Sequence, residues 1–167
     1  MKRTMRTQTD DGVIFTTASA EATERLAARL VARLANGCTL ALHGDLGAGK
    51  TVFARGLARG LGITAPVTSP TFTVVQEYPR PDGGWFYHLD LYRIRDWRDA
   101  EAFGIEEFLF ADDAIAVVEW PERIEELLAP VPGSPAPGPR RLIPVYIALV
   151  SDTERTVRLP ADAAPEE

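Results

Sequence analysis

Cysteine is nearly absent from this chain: Cys38 is the only one in 167 residues. A single thiol cannot close a disulfide within the chain, which excludes a disulfide-stapled scaffold and fits a reducing compartment such as the cytoplasm. Cys38 opens an apolar run, where a small buried hydrophobe is expected. Long apolar runs are also missing. None approaches the roughly 20 residues that cross a bilayer, and the basic residues 1–6 are followed by no apolar stretch. Neither a membrane span nor a signal peptide is expected. Positive charge is in deficit, 18 Lys and Arg against 24 Asp and Glu, for a net charge of −6. That balance argues against a protein held on nucleic acid by its overall field, while leaving room for a small local patch. Asparagine is reduced to Asn36, followed by Gly37. The Asn-Lys-x-Asp motif that selects guanine in Ras-like proteins is therefore absent.

What is present reads as one domain over residues 1–167, long enough for a sizeable core. Residues 1–10 and 160–167 are expected to be loose tails. Residues 130–141, which include Pro130, Pro132, Pro135, Pro137 and Pro139, are expected to be a surface linker. No internal repeat is visible.

The stretch that carries chemistry is Gly44-Asp45-Leu46-Gly47-Ala48-Gly49-Lys50-Thr51. It matches G-x-x-x-x-G-K-T, the phosphate-binding P-loop. Glycines let main-chain N–H groups crowd around a polyphosphate. Lys50 places a compact charge beside the β- and γ-phosphates, and the Thr51 hydroxyl suits Mg²⁺. The apolar run 39–43 before the loop and the helical spacing of 52–58 after it supply the strand–loop–helix context the motif requires.

Before the loop, residues 13–15 are β-prone. Ser19 reads as the N-cap of a helix running to about Leu34, on which Leu26, Leu30 and Leu34 form one apolar stripe. After the loop helix, residues 63–71 carry Pro66 and Pro70 and the hydroxyls of Thr68, Ser69 and Thr71. This is a loop, placed where P-loop proteins sense the γ-phosphate and metal. Residues 72–78 and 85–92 read as a β-hairpin around the turn 81–84, so the sheet is expected to be mixed. Period two sets His88, Asp90 and Tyr92 on one face. A carboxylate at Asp90 among apolar neighbours needs a partner: metal, water or a cation. Residues 93–110 are helical in character with a break at Gly104. The apolar run 114–118 ending in Glu119 resembles a Walker-B strand, whose acid lies beside Mg²⁺ and the attacking water. Trp120 follows it, and the sequence leaves core, nucleotide and partner contacts all open for it. Residues 142–150 and 155–159 read as a closing hairpin. The elements together predict an α/β, three-layer P-loop NTPase-like fold with a mixed sheet flanked by helices.

With guanine selection by that motif excluded, ATP is the default nucleotide. A small-molecule P-loop kinase is the rival reading, with Arg93, Arg95 and Arg98 as candidates for a closing lid. A nucleotide-gated interaction module without essential hydrolysis is a third.

Read in order, the P-loop, Ser69-Pro70-Thr71, His88-Leu89-Asp90-Leu91-Tyr92-Arg93 and Val118-Glu119-Trp120-Pro121 resemble the successive motifs of the TsaE family. These are P-loop ATPases of bacterial tRNA threonylcarbamoyladenosine (t⁶A) biosynthesis. The loop alone is generic; the H-x-D-x-Y-R and V-E-W-P segments together are far more specific. The resemblance implies a cytoplasmic ATPase, slow by itself, acting with the TsaD–TsaB complex on adenosine 37 of tRNAs that read ANN codons. It implies phosphate cradling by Gly47, Gly49 and Lys50, nucleotide binding along the same loop by Asp45, Leu46, Ala48 and Thr51, metal binding at Thr51, Glu119 and Asp90, and catalytic roles for Lys50, Asp90 and Glu119. Thr71 would belong to the switch loop, Ser19 and Thr23 would approach the adenine, and Trp120 joins the candidate nucleotide contacts.

Overall fold

The computed structural model describes residues 4–129 and 141–166. An eight-stranded mixed sheet in the order β1-β2-β8-β7-β3-β6-β5-β4 forms its centre. The strands are β1 (Met5–Thr9), β2 (Gly12–Thr17), β3 (Cys38–His43), β4 (Val75–Pro79), β5 (Trp85–Asp90), β6 (Ala114–Glu119), β7 (Arg141–Leu149) and β8 (Arg155–Leu159). β7, β3, β6 and β5 are mutually parallel, and antiparallel pairs extend the sheet at both sides. The central strands β3 and β6 are buried on both faces, as strands covered on both sides are, whereas Leu142 and Tyr146 leave one face of β7 exposed.

Helices α1 (Ala20–Leu30) and α2 (Lys50–Gly60) cover one face. Leu26, Leu30, Phe53 and Leu57 pack there on Leu40, Leu42, Ile115, Val117, Ile143 and Val145. The short helices α3 (Trp97–Glu101), α4 (Ile105–Leu109) and α5 (Glu125–Leu128) serve the other face. There Ile105, Leu109 and Leu128 share a core with Leu89, Ala116 and Val118. The two faces give the three layers, in agreement with the α/β expectation.

Ser19 is the N-cap of α1, its side chain accepting from the Ala22 N–H. Ser19→Ala is expected to lower stability by about 1 kcal/mol, measured as a shift of the denaturant midpoint at unchanged slope. The helix itself ends sooner than its leucine spacing suggests. It passes at Val31–Arg33 into one 3₁₀ turn.

Three expectations need correction. The loose tail at residues 1–10 contains β1, whose backbone pairs with β2 from Met5↔Thr16 to Thr9↔Gly12. A polar strand at a sheet edge carries little hydrophobic signal, so pairing alone orders it. The tail from 160 is packed as well: Ala163 and Ala164 are buried in the α1/α2 core, and Asp162 and Glu166 pair with Arg141 and Arg33. The first hairpin strand starts at Val75, three residues later than expected, because Val74 sits in the left-handed region with φ 67°. Apart from Arg141, which begins β7, the Pro-rich stretch lies outside the described residues. Among the described residues no helix is long and apolar enough to cross a membrane.

Candidate nucleotide and metal site

The C-terminal ends of β3, β5 and β6 meet on one edge, where open parallel sheets bind ligands. Strand periodicity decides what they present. On β6, Ile115 and Val117 face α1 and α2, so Glu119 does too. On β5, Phe86 faces the same way, which carries His88 and Asp90 with it. The register then sets Asp90 directly opposite Glu119, and Leu42, two residues before Gly44, opposite Glu119 on the other side.

The loop from β3 to α2 has Gly47 at φ 81° and Gly49 at φ 108°. These left-handed angles are cheap only for glycine, and they open the loop around a hollow. A cavity of about 440 Å³ lies beside it, walled by residues 46–52, Ser69, Thr71, Asp90, Tyr92, Glu119, Trp120 and Arg155. Lys50 is buried and donates from Nζ to the carbonyls of Gly44 and Asp45, the latter at 3.0 Å. Its Nζ also sits 3.9 Å from the Trp120 ring centroid. Burial pulls the Lys50 pKa below the ordinary lysine value, opposed chiefly by Glu119.

The acidic side is tied together by hydroxyls. Thr51 Oγ1 donates to Glu119 Oε1 at 2.8 Å. Ser69 and Thr71 both donate to Asp90 Oδ2, Thr71 at 3.0 Å, and Ser69 Oγ reaches Glu119 Oε2 at 3.5 Å. The Tyr92 N–H serves Asp90 Oδ1 at 3.0 Å. Burial pushes the Asp90 carboxyl up, but the hydrogen bonds from Ser69, Tyr92 N–H and Thr71 outweigh it and hold its pKa below the usual value. Within the chain, Asp90 is met by two hydroxyls and one N–H.

The oxygen set of Thr51, Glu119 and Asp90 suits a hard cation. Among the described residues no group of three or more His, Cys, Asp or Glu could hold a metal.

The scan against protein-family models matches residues 17–143 to "Threonylcarbamoyl adenosine biosynthesis protein TsaE". The chain belongs to the TsaE family. It is 39% identical over 146 residues to the Bacillus subtilis tRNA threonylcarbamoyladenosine biosynthesis protein TsaE, covering 87% of this chain and 83% of that protein. The Synechocystis protein of the same name is 45% identical over 109 residues, 64% of this chain and 68% of that one. The crystal structure of Bacillus subtilis YdiB superposes with a TM-score of 0.64 at 31% identity, covering 95% of this chain and 87% of that chain.

Within this TsaE member the structure gathers Leu46, Gly47, Ala48, Gly49, Lys50, Thr51, Thr71, Asp90, Glu119 and Trp120 around one cavity. Asp45 is exposed and contributes its carbonyl to Lys50 and Ala48 instead of a side chain to the wall. Ser19 and Thr23 lie outside this cavity. Ser19 caps α1, and Thr23 is fully buried, bonded to Thr17 Oγ1 at 2.7 Å and to the Ser19 carbonyl. Neither lines the cavity, because both hydroxyls are used to fix the start of α1.

Sequence reasoning left out four residues of the site. Ser69 had a signal, a hydroxyl in the loop beside Pro70. His88 had one as well, sharing a face with Asp90. It is completely buried, with Nε2 3.7 Å from Glu119 Oε2 and, among the described residues, no hydrogen bond at either ring nitrogen. Tyr92 had the same face signal, and its ring meets Trp120 with centroids 5.3 Å apart. Arg155 had none.

Proposed function

We propose that this protein is a Mg²⁺-dependent ATPase that works with TsaD and TsaB in forming threonylcarbamoyladenosine at position 37 of tRNAs reading ANN codons. Family membership supports the pathway. One observation carries the hydrolysis: the P-loop Thr51 hydroxyl and the strand-end Glu119 carboxylate lie 2.8 Å apart at the mouth of a glycine cradle.

In this reading the N–H groups of residues 47–51 hold the β- and γ-phosphates, aided by the positive end of α2. Lys50 neutralises charge that develops on the transferred group. Thr51, Glu119 and Asp90 would hold magnesium, which when bound polarises the phosphate oxygens. Glu119 orients water toward the γ-phosphate. Ser69 and Thr71 couple the switch loop to Asp90, so the loop responds to whatever occupies the acidic side.

The kinase alternative gains little. The arginines available for a lid are engaged elsewhere: Arg95 forms a two-pronged pair with Asp99, Arg98 lies over Trp97, and Arg93 lies over exposed Phe72. Phosphate release from Mg-ATP by the purified chain, alone and with TsaB, TsaD and tRNA, tests the proposal. A slow basal rate that rises with the partners is expected. A fast rate indifferent to them overturns the subunit role, and ADP formation that requires an added metabolite acceptor replaces it with a kinase.

A further inference from the structure

We infer that Arg155, at the start of β8, is a phosphate ligand of the nucleotide, so that the C-terminal hairpin completes the site. The inference rests on the reading that this cavity takes ATP. Arg155 lies beyond the 17–143 segment matched to the family model.

The first observation is position. Arg155 is a wall of the cavity and, among the described residues, the only arginine there. Its Nε donates to the Ala48 carbonyl at 3.1 Å, in the middle of the P-loop. A Cβ on Gly49 would stand 2.7 Å from that Nε, so the glycine leaves the space the guanidinium fills. A group cradled by the N–H donors of residues 47–51 is therefore within reach of the two terminal nitrogens.

The second observation is what those nitrogens lack. Guanidinium carries five N–H donors. Among the described residues Arg155 uses only Nε, on a neutral carbonyl, and forms no ion pair. Arg55 and Arg59 on α2 both close on Glu24, and Arg141 closes on Asp162. Arg155 thus keeps four donors and a full charge at the rim of an anion cradle.

The third is the division of charge within the cavity. The carboxylates of Asp90 and Glu119 stand with Thr51 and Ser69, whereas Arg155 stands against Ala48 and Gly49. The other cation, Lys50, already serves two carbonyls and the Trp120 ring. A planar, two-pronged donor matches phosphate better than an ammonium does.

The rival role is a strut that only stiffens the P-loop. Calorimetric titration of the wild type, Arg155→Gln and Arg155→Lys with ATP and ITP, alongside thermal unfolding of the nucleotide-free proteins, separates the two. Arg155→Gln is expected to weaken both nucleotides equally, by about tenfold, the effect of losing a hydrogen bond to a charged group. Arg155→Lys should recover part of the affinity, and the nucleotide-free midpoints should move by less than about 2 °C. Unchanged affinity in Arg155→Gln overturns the inference while leaving the ATP reading intact. So does a loss that tracks a fall in nucleotide-free stability, and a loss seen for ATP but not ITP moves the contact from phosphate to base. A wild type that binds neither nucleotide overturns the ATP reading and this inference together.

Discussion

Lys50→Ala is expected to lower phosphate release from Mg-ATP by about 10²- to 10³-fold, the usual cost of removing one preorganised charge from a phosphoryl-transfer site. Folding should survive the change. Lys50 Nζ holds two loop carbonyls, and losing such contacts costs about 1 kcal/mol each. The ammonium is also buried, with its pKa pulled below the ordinary lysine value by that burial. Its removal relieves a desolvation cost that offsets part of the loss. A single-turnover assay with a circular dichroism melt of the same sample checks both halves. Turnover retained within about threefold would show that Lys50 serves the loop and not the phosphates. Thr51→Ala should follow the same pattern, since its hydroxyl joins the loop to Glu119.

Gly56→Leu is expected to destabilise the protein by about 3 kcal/mol or more through overpacking. Two effects compete when a side chain enters this position in α2. Helix propensity alone favours alanine over glycine by about 1 kcal/mol. Against it stands the crossing with α1. A Cβ at Gly56 would lie 2.4 Å from the Glu24 carbonyl oxygen, 2.7 Å from Glu24 Cα and 2.8 Å from Ala27 Cβ. Two of these are backbone atoms that no rotamer change can move. Gly60 repeats the arrangement one turn later against Ala28. The helices must separate, and the core of Leu26, Leu30, Phe53 and Leu57 loosens with them. The salt bridges from Glu24 to Arg55 and Arg59 cross the same seam. Urea unfolding should show a lower midpoint for Gly56→Ala and a much lower one for Gly56→Leu. Stabilisation of Gly56→Ala by the full propensity gain would mean that the crossing relaxes freely.

Much of the site was legible because its residues are adjacent in the chain. Strand, glycine loop and helix follow one another within residues 38–60, so one stretch specifies the cradle. The acids were legible through periodicity. An apolar run closed by Glu119, and an Asp90 stranded among leucines, each point to a buried strand ending in a carboxylate. The partners of those acids were harder. Ser69 and Thr71 could be read as loop hydroxyls, but not as donors to Asp90. Ser19 and Thr23 show the opposite case, side chains in plausible positions whose hydroxyls the fold consumes at the start of α1.

The sequence alone determined the P-loop, the alternation of faces on β5 and β6, the mixed hairpin sheet and the α/β layering, because each follows from local spacing. Tertiary structure decided which strands lie side by side. Period two states which face a residue takes and not which neighbour it meets, so the opposition of Asp90 and Glu119 awaited the β5–β6 register. The same holds at the ends of the chain. β8 pairs with β2 across most of the sequence, and that pairing, invisible to any window of residues, carries Arg155 over Ala48.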